Sequence, residues 1–228
     1  MLGINTADIK NDPSAPDVSV VVPIRNESGN IPLLIDRVSK ALGATSFEIV
    51  FTDDGSTDGS FALIKEAAAR DKRVRAISLS RNFGHQVAVT AGLEYARGRA
   101  MVIIDADLQD PPEVIPDMVA KWREGFDVVY GQRAQRQGET WMKRVTAGGF
   151  YRLLGLMTQF TIPVDTGDFR LVSRRAVNAF LSMPEKHRFV RGMFSWIGFR
   201  QTALIYNRQE RHSGQTNYTY TKMLRLAL

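Results

Sequence analysis

The sequence predicts an α/β protein with a mostly parallel central sheet and helices on both faces. Two observations lead to this prediction. Short apolar, β-branched runs alternate with helical segments through residues 1–130, an order typical of the right-handed crossovers that build parallel sheets. A polar cluster also follows each of the first five runs, at the strand ends where such sheets bind ligands. We therefore expect one α/β domain with its site at the carboxyl ends of the strands.

The strands are predicted from apolar runs that are bounded by turn-forming residues. They cover Val18–Val22, Phe47–Thr52, Val74–Leu79, Met101–Ile104, Asp127–Tyr130 and Gln201–Tyr206. The polar clusters that follow the first five are Pro23–Glu27, Asp53–Asp58, Arg81–Gln86, Asp105–Asp110 and Gln132–Arg133. Asn30 is expected to cap the first helix, and Gly43 is expected to end it.

The fourth strand runs directly into two carboxylates, Asp105 and Asp107. Carboxylates at the end of a buried strand are costly unless they are paired, and a divalent cation such as Mg²⁺ or Mn²⁺ would pair them. If the chain stays extended, Gln109 lies on the same side and adds a third oxygen ligand. The alternative is a solvated turn, because Asp, Gln and Pro-Pro also mark turns.

The charge is unevenly distributed, although the net charge is only +6. Residues 1–130 hold 14 basic and 19 acidic side chains, a net −5, whereas residues 131–228 hold 16 and 5, a net +11. A basic half is expected to meet anionic lipid or phosphate. No nucleic-acid motif accompanies it, so nucleic acid is not an expected partner. The sequence has no apolar run of about 18 residues that would span a bilayer.

The first strand is followed by Pro23-Ile24-Arg25-Asn26-Glu27 and not by a glycine-rich phosphate loop. This excludes the dinucleotide fingerprint, and no Gly-Lys-Ser/Thr phosphate loop occurs elsewhere. If a nucleotide binds, we expect a metal ion to hold its diphosphate.

A family resemblance rests on six motifs in this order: SVVVPIRNE, FTDDGSTDGS, LSRNFGHQ, IIDADLQDPPE, YGQR and DTGDFRL. Together they resemble family 2 glycosyltransferases, which have the GT-A fold. Within that family the chain is similar to the polyprenyl-phosphate glycosyltransferases, namely dolichyl-phosphate mannose synthase and the bacterial enzymes that load undecaprenyl phosphate. The likeness covers residues 17–228.

The resemblance implies a role for each matching residue. Pro23, Arg25 and Glu27 would line the nucleotide pocket, with Arg81 and Asn82 at its edge. Asp54 would face the base, since a carboxylate accepts from a ring N–H. Asp105, Asp107 and Gln109 would hold Mg²⁺ or Mn²⁺ on the donor diphosphate, so Asp105 also contacts the donor. The catalytic residues would be Asp107, Arg133 and Asp168.

The acceptor phosphate is expected to meet Arg133, Arg208, Arg211 and Thr216. The family pattern usually ends in a lysine here, but this chain has Asn217, which weakens the assignment of that position. The three histidines show no zinc spacing, and we interpret them as ordinary polar residues.

Residues 141–160 are expected to form an interfacial helix, because an apolar face is combined with Lys143, Arg144 and Arg152. A core helix is the alternative. We expect residues 1–17 to form a flexible leader, residues 18–210 the GT-A catalytic domain, and residues 211–228 an acceptor loop and an interfacial helix truncated before transmembrane helices. These features predict a peripheral protein at the cytoplasmic face of the membrane, and leave open a homo-oligomer or a membrane-spanning partner.

The expected activity is inverting transfer of a sugar from a nucleotide-diphosphate sugar to a polyprenyl phosphate. A UDP-sugar is favoured over GDP-mannose. Two alternatives stay open. One is a family 2 enzyme that acts on a glycan or lipid hydroxyl, and the other is a non-catalytic nucleotide-sugar-binding subunit.

Overall fold

The computed structural model describes residues 14–134 and 166–209. Seven strands form one sheet: β1 (Val18–Ile24), β2 (Phe47–Asp53), β3 (Val74–Ser78), β4 (Ala100–Ile103), β5 (Val128–Arg133), β6 (Thr166–Ser173) and β7 (Gln201–Tyr206). Their order is β3-β2-β1-β4-β6-β5-β7. All neighbours pair in parallel except β6, which is antiparallel to both β4 and β5. The mostly parallel sheet predicted from the sequence is confirmed.

Among residues 14–134 and 166–209, six helices cover the two faces of this sheet. They are α1 (Ile31–Leu42), α2 (Ser60–Arg70), α3 (His85–Tyr95), α4 (Ile115–Arg123), α5 (Arg174–Ser182) and α6 (Val190–Trp196), and a 3₁₀ turn at Pro112–Val114 precedes α4. Because strand side chains alternate, Val20 and Val22 face one core and Val21 faces the other. The first core packs against α1, α2 and α4, and the second against α3, α5 and α6. Helices therefore lie on both faces, as predicted.

The first helix begins and ends where the sequence predicts, but its cap differs. Asn30 occupies the cap position without a side-chain bond to the helix backbone. Its amide instead donates to the Glu27 carboxylate at 2.6 Å. The polar side chain at this helix start therefore fixes the loop that leaves β1.

Helix α3 lies unusually close to the sheet because its contact residue is Gly92. A Cβ at this position would collide with Val21 and lie 3.0 Å from the Thr52 hydroxyl. Because α3 follows β3, its first residue, His85, lies at the carboxyl edge of the sheet. No helix among residues 14–134 and 166–209 is long and apolar enough to cross a bilayer.

At the amino edge of the sheet, buried charges have complementary partners. Glu48 is buried and accepts from the Ser19 hydroxyl at 2.7 Å, the Arg97 backbone N–H at 2.6 Å and Arg75 Nη1 at 3.2 Å. These donors connect β1, β3 and the turn before β4. Glu48 therefore has both oxygens hydrogen-bonded.

The antiparallel strand β6 ends at the same edge, where Ser173 and Arg175 both donate to Asp127. The buried Arg174 donates to the carbonyls of Gly98 at 2.6 Å and Ala96 at 2.7 Å. Desolvation lowers the pKa of Arg174 to about 10. Its carbonyl bonds tie the end of β6 to the turn between α3 and β4.

Three parts of the sequence interpretation fall outside the described residues. They are residues 1–13 of the expected leader, the expected interfacial helix at residues 141–160, and the segment 211–228 with Arg211 and Thr216.

Candidate active site

An open cleft of about 1530 Å³ lies at the carboxyl edge of the sheet. The loops after β1, β2, β3 and β4 form its floor, and residues 184–191 form one wall. Eight of the residues predicted for the site line it: Pro23, Arg25, Glu27, Asp54, Asn82, Asp105, Asp107 and Asp168. The strand-end rule therefore located the cleft correctly. The individual roles of these residues stay predictions.

Asp54 holds the loop that follows β3. Its carboxylate accepts from the backbone N–H of Phe83 at 2.7 Å and of Gly84 at 2.9 Å, and from the Asn82 amide at 2.6 Å. The side chain is 3% exposed. A carboxylate has about four lone-pair positions, so these bonds leave room for one more donor. The predicted contact between Asp54 and the nucleotide base can therefore use only this remaining lone-pair position.

Gly55 allows the same loop to approach. Its φ is +71°, and a Cβ would lie 2.8 Å from the backbone nitrogen of Asn82. Because any side chain would push the loop away, the glycine of the Asp-Asp-Gly motif has a local structural reason. The neighbouring Arg81 does not line the cleft, but stacks on the Phe83 ring at 4.3 Å.

The stretch after β4 turns where the sequence interpretation kept it extended. Leu108 has φ +60°, and the Gln109 backbone N–H folds back to donate to Asp107 at 3.1 Å. The alternation that put Gln109 beside Asp105 and Asp107 therefore does not hold. Gln109 is not among the residues that line the cleft, so its role as a metal ligand lacks the geometric support first given for it.

Asp105 and Asp107 supply two carboxylates to the cleft floor, the number of protein ligands that Mg²⁺ or Mn²⁺ usually takes. Burial raises the pKa of Asp105 to about 6; His85 opposes this rise, while Asp168, Asp110 and Asp107 add to it. This excess of negative charge would be relieved by a dication, so the residues present fit one. Among the described residues, no group of three or more His, Cys, Asp or Glu is arranged as a metal centre.

Asp168 enters the cleft from β6 and is held by cationic side chains. His85 Nε2 lies 3.1 Å from its Oδ2, and Arg191 donates to its Oδ1 from Nη2 at 3.3 Å and Nε at 3.4 Å. The buried Arg170 donates to the carbonyls of Gly167 and Asp168. Burial alone would raise the pKa of Asp168, but these cations and the His85 bond hold it well below its usual range.

His85 is the functional candidate that sequence reasoning missed. Its Nε2 is also 3.8 Å from Asp105 Oδ1, so the ring lies between two carboxylates. Burial lowers the pKa of His85, yet the Asp168 bond and the nearby carboxylates outweigh burial and raise it. In the sequence it lies in the polar cluster after β3, and its interpretation there as an ordinary polar residue stays a prediction.

Two predicted arginines, Arg133 and Arg208, are not among the described residues that line the cleft. Arg133 lies against Gly167, with Nη2 3.0 Å from the position of a Cβ there, and bonds to the Tyr206 hydroxyl. Arg208 Nε is 3.7 Å from the buried Asp110, which also accepts from Tyr206. Burial raises the pKa of Asp110, against the lowering effects of Tyr206 and the two arginines. The roles of Arg133 and Arg208 toward an acceptor stay predictions.

The parallel sheet with one reversed strand and a carboxylate-lined cleft at its carboxyl edge has the architecture of GT-A glycosyltransferases. This fold is similar to that of a solved Mycobacterium tuberculosis glucosyl-3-phosphoglycerate synthase, with a TM-score of 0.59. That structure was solved in complex with Mn²⁺, UDP and glucosyl-3-phosphoglycerate. That match is 22% identical and covers 94% of this chain and 78% of the other. The chain belongs to glycosyl transferase family 2, whose model matches residues 19–181.

Two curated bacterial proteins are similar over most of this chain. The uncharacterized glycosyltransferase YkcC of Bacillus subtilis is 50% identical over 92% of this chain. The prophage bactoprenol glucosyl transferase homolog of Escherichia coli is 40% identical over the same share. The chain spans 66% and 70% of their respective lengths. These matches confirm that the chain is similar to polyprenyl-phosphate glycosyltransferases.

Proposed function

We propose that this glycosyltransferase moves a sugar, with inversion, from a UDP-sugar to a polyprenyl phosphate. The observation that carries the proposal is the arrangement around Asp168. One of its oxygens lies 3.1 Å from His85 Nε2 and the other accepts from Arg191, and together with Arg170 these residues hold the pKa of Asp168 well below its usual range. Such a carboxylate is a weak base, so the site suits a nucleophile that needs no deprotonation.

A phosphate monoester is such a nucleophile. Its second pKa is near ~6, so it is already ionised at neutral pH. An alcohol would need a general base within hydrogen-bond reach, and Asp168 is the candidate in this part of the cleft. Because the Asp168 carboxylate already contacts His85 and Arg191 and is a weak base, we favour the phosphate acceptor over a glycan or lipid hydroxyl. In this proposal Asp168 orients the sugar hydroxyls or the acceptor.

The donor is assigned to the other side of the cleft. Asp54 and the loop it holds would receive the base, and Asp105 and Asp107 would hold Mg²⁺ or Mn²⁺ on the diphosphate. A bound divalent ion supplies neutralisation of the charge that develops on the leaving diphosphate. The structural neighbour with Mn²⁺ and UDP supports a divalent ion and a uridine nucleotide, and Arg133 stays a proposed contact of the leaving group.

The lipid acceptor is supported by the name of the Escherichia coli relative, which mentions bactoprenol. It also fits the net charge of +11 in residues 131–228, since anionic headgroups attract basic surfaces. We place the chain at the cytoplasmic face of the membrane as a peripheral protein. Sedimentation with anionic vesicles at low salt tests this placement, and protein that stays in the supernatant would contradict it.

The activity itself is tested by transfer from radiolabelled UDP-sugars with Mn²⁺. Geranyl phosphate, a water-soluble polyprenyl phosphate, is compared with geraniol, which differs only in lacking the phosphate. We expect product with geranyl phosphate alone. Transfer to geraniol at a similar rate would favour the hydroxyl acceptor, and donor binding without turnover on either acceptor would favour a non-catalytic subunit.

A further inference from the structure

Arg191 is a cation that lines the cleft beside Asp168 and has no assigned role. Its side chain is 33% exposed. Among the described residues, its guanidinium donates only to Asp168. The Nη2 and Nε atoms both donate to the Oδ1 atom, at 3.3 and 3.4 Å respectively. These hydrogen bonds are long for a pair of opposite charges. A guanidinium usually binds two separate acceptor oxygens through two parallel hydrogen bonds, but here both bonds go to one oxygen. Arg191 therefore has donors left for a ligand.

The position of Arg191 relative to the donor side is fixed by Asp168. The Oδ2 atom of Asp168 faces His85, which in turn contacts Asp105. The Oδ1 atom faces Arg191. These contacts therefore connect Asp105, His85, Asp168 and Arg191 in that order. Arg191 contacts Asp168, and Asp168 is connected through His85 to Asp105, the carboxylate assigned to the donor diphosphate.

The backbone at Arg191 is also held in place. The Gln86 side chain, next to His85 on α3, accepts from the backbone N–H of Val190 at 2.9 Å. Ser195 donates to the Arg191 carbonyl at 3.1 Å. Adjacent residues of α3 thus position both Asp168 and the start of α6, so the guanidinium has a defined location.

We propose that Arg191 binds the phosphate of the acceptor. This inference rests on the proposed function, because inversion requires attack on the sugar from the face opposite the leaving diphosphate. With the diphosphate at Asp105 and the sugar near Asp168, the attacking phosphate belongs on the Arg191 side. A phosphate offers paired oxygens that a guanidinium fork binds through two parallel hydrogen bonds. Arg133 and Arg208, which were expected to meet this phosphate, are not among the described residues that line the cleft.

The test compares Arg191→Gln, Arg191→Lys and the natural chain with geranyl phosphate as acceptor. A soluble acceptor removes the contribution of membrane attraction. We expect Arg191→Gln to raise the acceptor KM by about tenfold or more, because a charge-assisted bidentate contact is lost. The KM for the UDP-sugar should stay within about twofold. Arg191→Lys should fall between the two, since lysine keeps the charge without the fork.

The matched control is Arg123→Gln, which removes one cation from an exposed site at the amino edge. Its acceptor KM should equal that of the natural chain. If Arg191 only positioned Asp168, the glutamine variant would lose kcat and keep its acceptor KM. That split, or an acceptor KM unchanged in Arg191→Gln, would overturn the proposal.

Calorimetric titration of geranyl phosphate, with UDP and Mn²⁺ present, separates this inference from the proposed activity. If the natural chain transfers no sugar but binds geranyl phosphate, and Arg191→Gln loses that binding, the phosphate site stands while the activity fails. If the natural chain shows neither transfer nor binding, both proposals fail. Equal binding by the natural chain and Arg191→Gln overturns the Arg191 site alone.

Discussion

The two edges of the sheet bury charged side chains in opposite ways. At the amino edge, Glu48 accepts hydrogen bonds from the Ser19 hydroxyl and the Arg97 backbone N–H, and Arg174 donates to the backbone carbonyl of Gly98. At the carboxyl edge, Asp105, Asp107 and Asp168 face one cleft, and burial, with the neighbouring carboxylates adding to it, raises the pKa of Asp105. The amino edge is arranged for stability, and the carboxyl edge retains charge for a ligand. Substitutions at the two edges should therefore have separable effects on stability and activity.

The largest effect is expected from Asp107→Asn. Removing one of two carboxylates assigned to the divalent ion should reduce transfer by about 100-fold or more. The melting temperature should stay equal or rise, because one like charge leaves a crowded cleft. Initial rates and thermal unfolding measure both quantities. Full activity of the variant, or of the natural chain in excess chelator, would contradict the metal assignment.

The reverse pattern is expected from Arg174→Met at the amino edge. Methionine leaves the carbonyls of Ala96 and Gly98 without their donor, which should lower the free energy of unfolding by about 3 kcal/mol. The folded variant should keep the kcat of the natural chain, since the residue is at the opposite end of the strands. Urea unfolding and initial rates provide the comparison. A stable variant with reduced kcat would break the separation of the two edges.

Asp54→Asn should give an intermediate result that sharpens the comparison. Asp54 lies at the carboxyl edge but is hydrogen-bonded like the charges at the amino edge. In the variant, the amide NH₂ group replaces one carboxylate oxygen and faces an N–H donor of the Asn82–Gly84 loop, so one hydrogen bond to that loop is lost. Because the loop is then held less firmly, we expect UDP affinity to fall about tenfold. Calorimetry with Mn²⁺ measures it. Unchanged UDP affinity would remove Asp54 from the nucleotide pocket.

The smallest effect concerns acid stability at the amino edge. Burial raises the pKa of Asp127, but bonds from Arg175 and Ser173 outweigh burial and hold it below its usual value. A depressed pKa in the folded state adds stability above the unfolded pKa of about 4, and that stability is lost as pH falls further. Arg175→Gln should shift the acid-unfolding midpoint upward by less than about one pH unit. A midpoint shifted downward would contradict this assignment.

Every strand of the described sheet except β6, and the location of the cleft, could be predicted because they depend on local patterns. Apolar runs ended in polar clusters, and parallel strands bring those ends together. The role of His85 could not be predicted, since it depends on β6 returning antiparallel and delivering Asp168 from far along the chain. The place of Gln109 was misjudged because the left-handed conformation of Leu108 gives no strong sequence signal. Arg133 and Arg208 were predicted by resemblance, which does not specify whether a side chain lines the cleft.

The reversal of β6 has a consequence for protein engineering. Because β5 ends and β6 begins at the same edge, Gln132 pairs directly with Thr166. Both ends of the intervening 135–165 segment are therefore attached to neighbouring strands at the rim of the cleft. An exchange of that segment between relatives would join the sheet at two adjacent points and leave every strand pairing intact. The architecture thus offers a position for grafting at which a segment can be exchanged without changing the strands of the sheet.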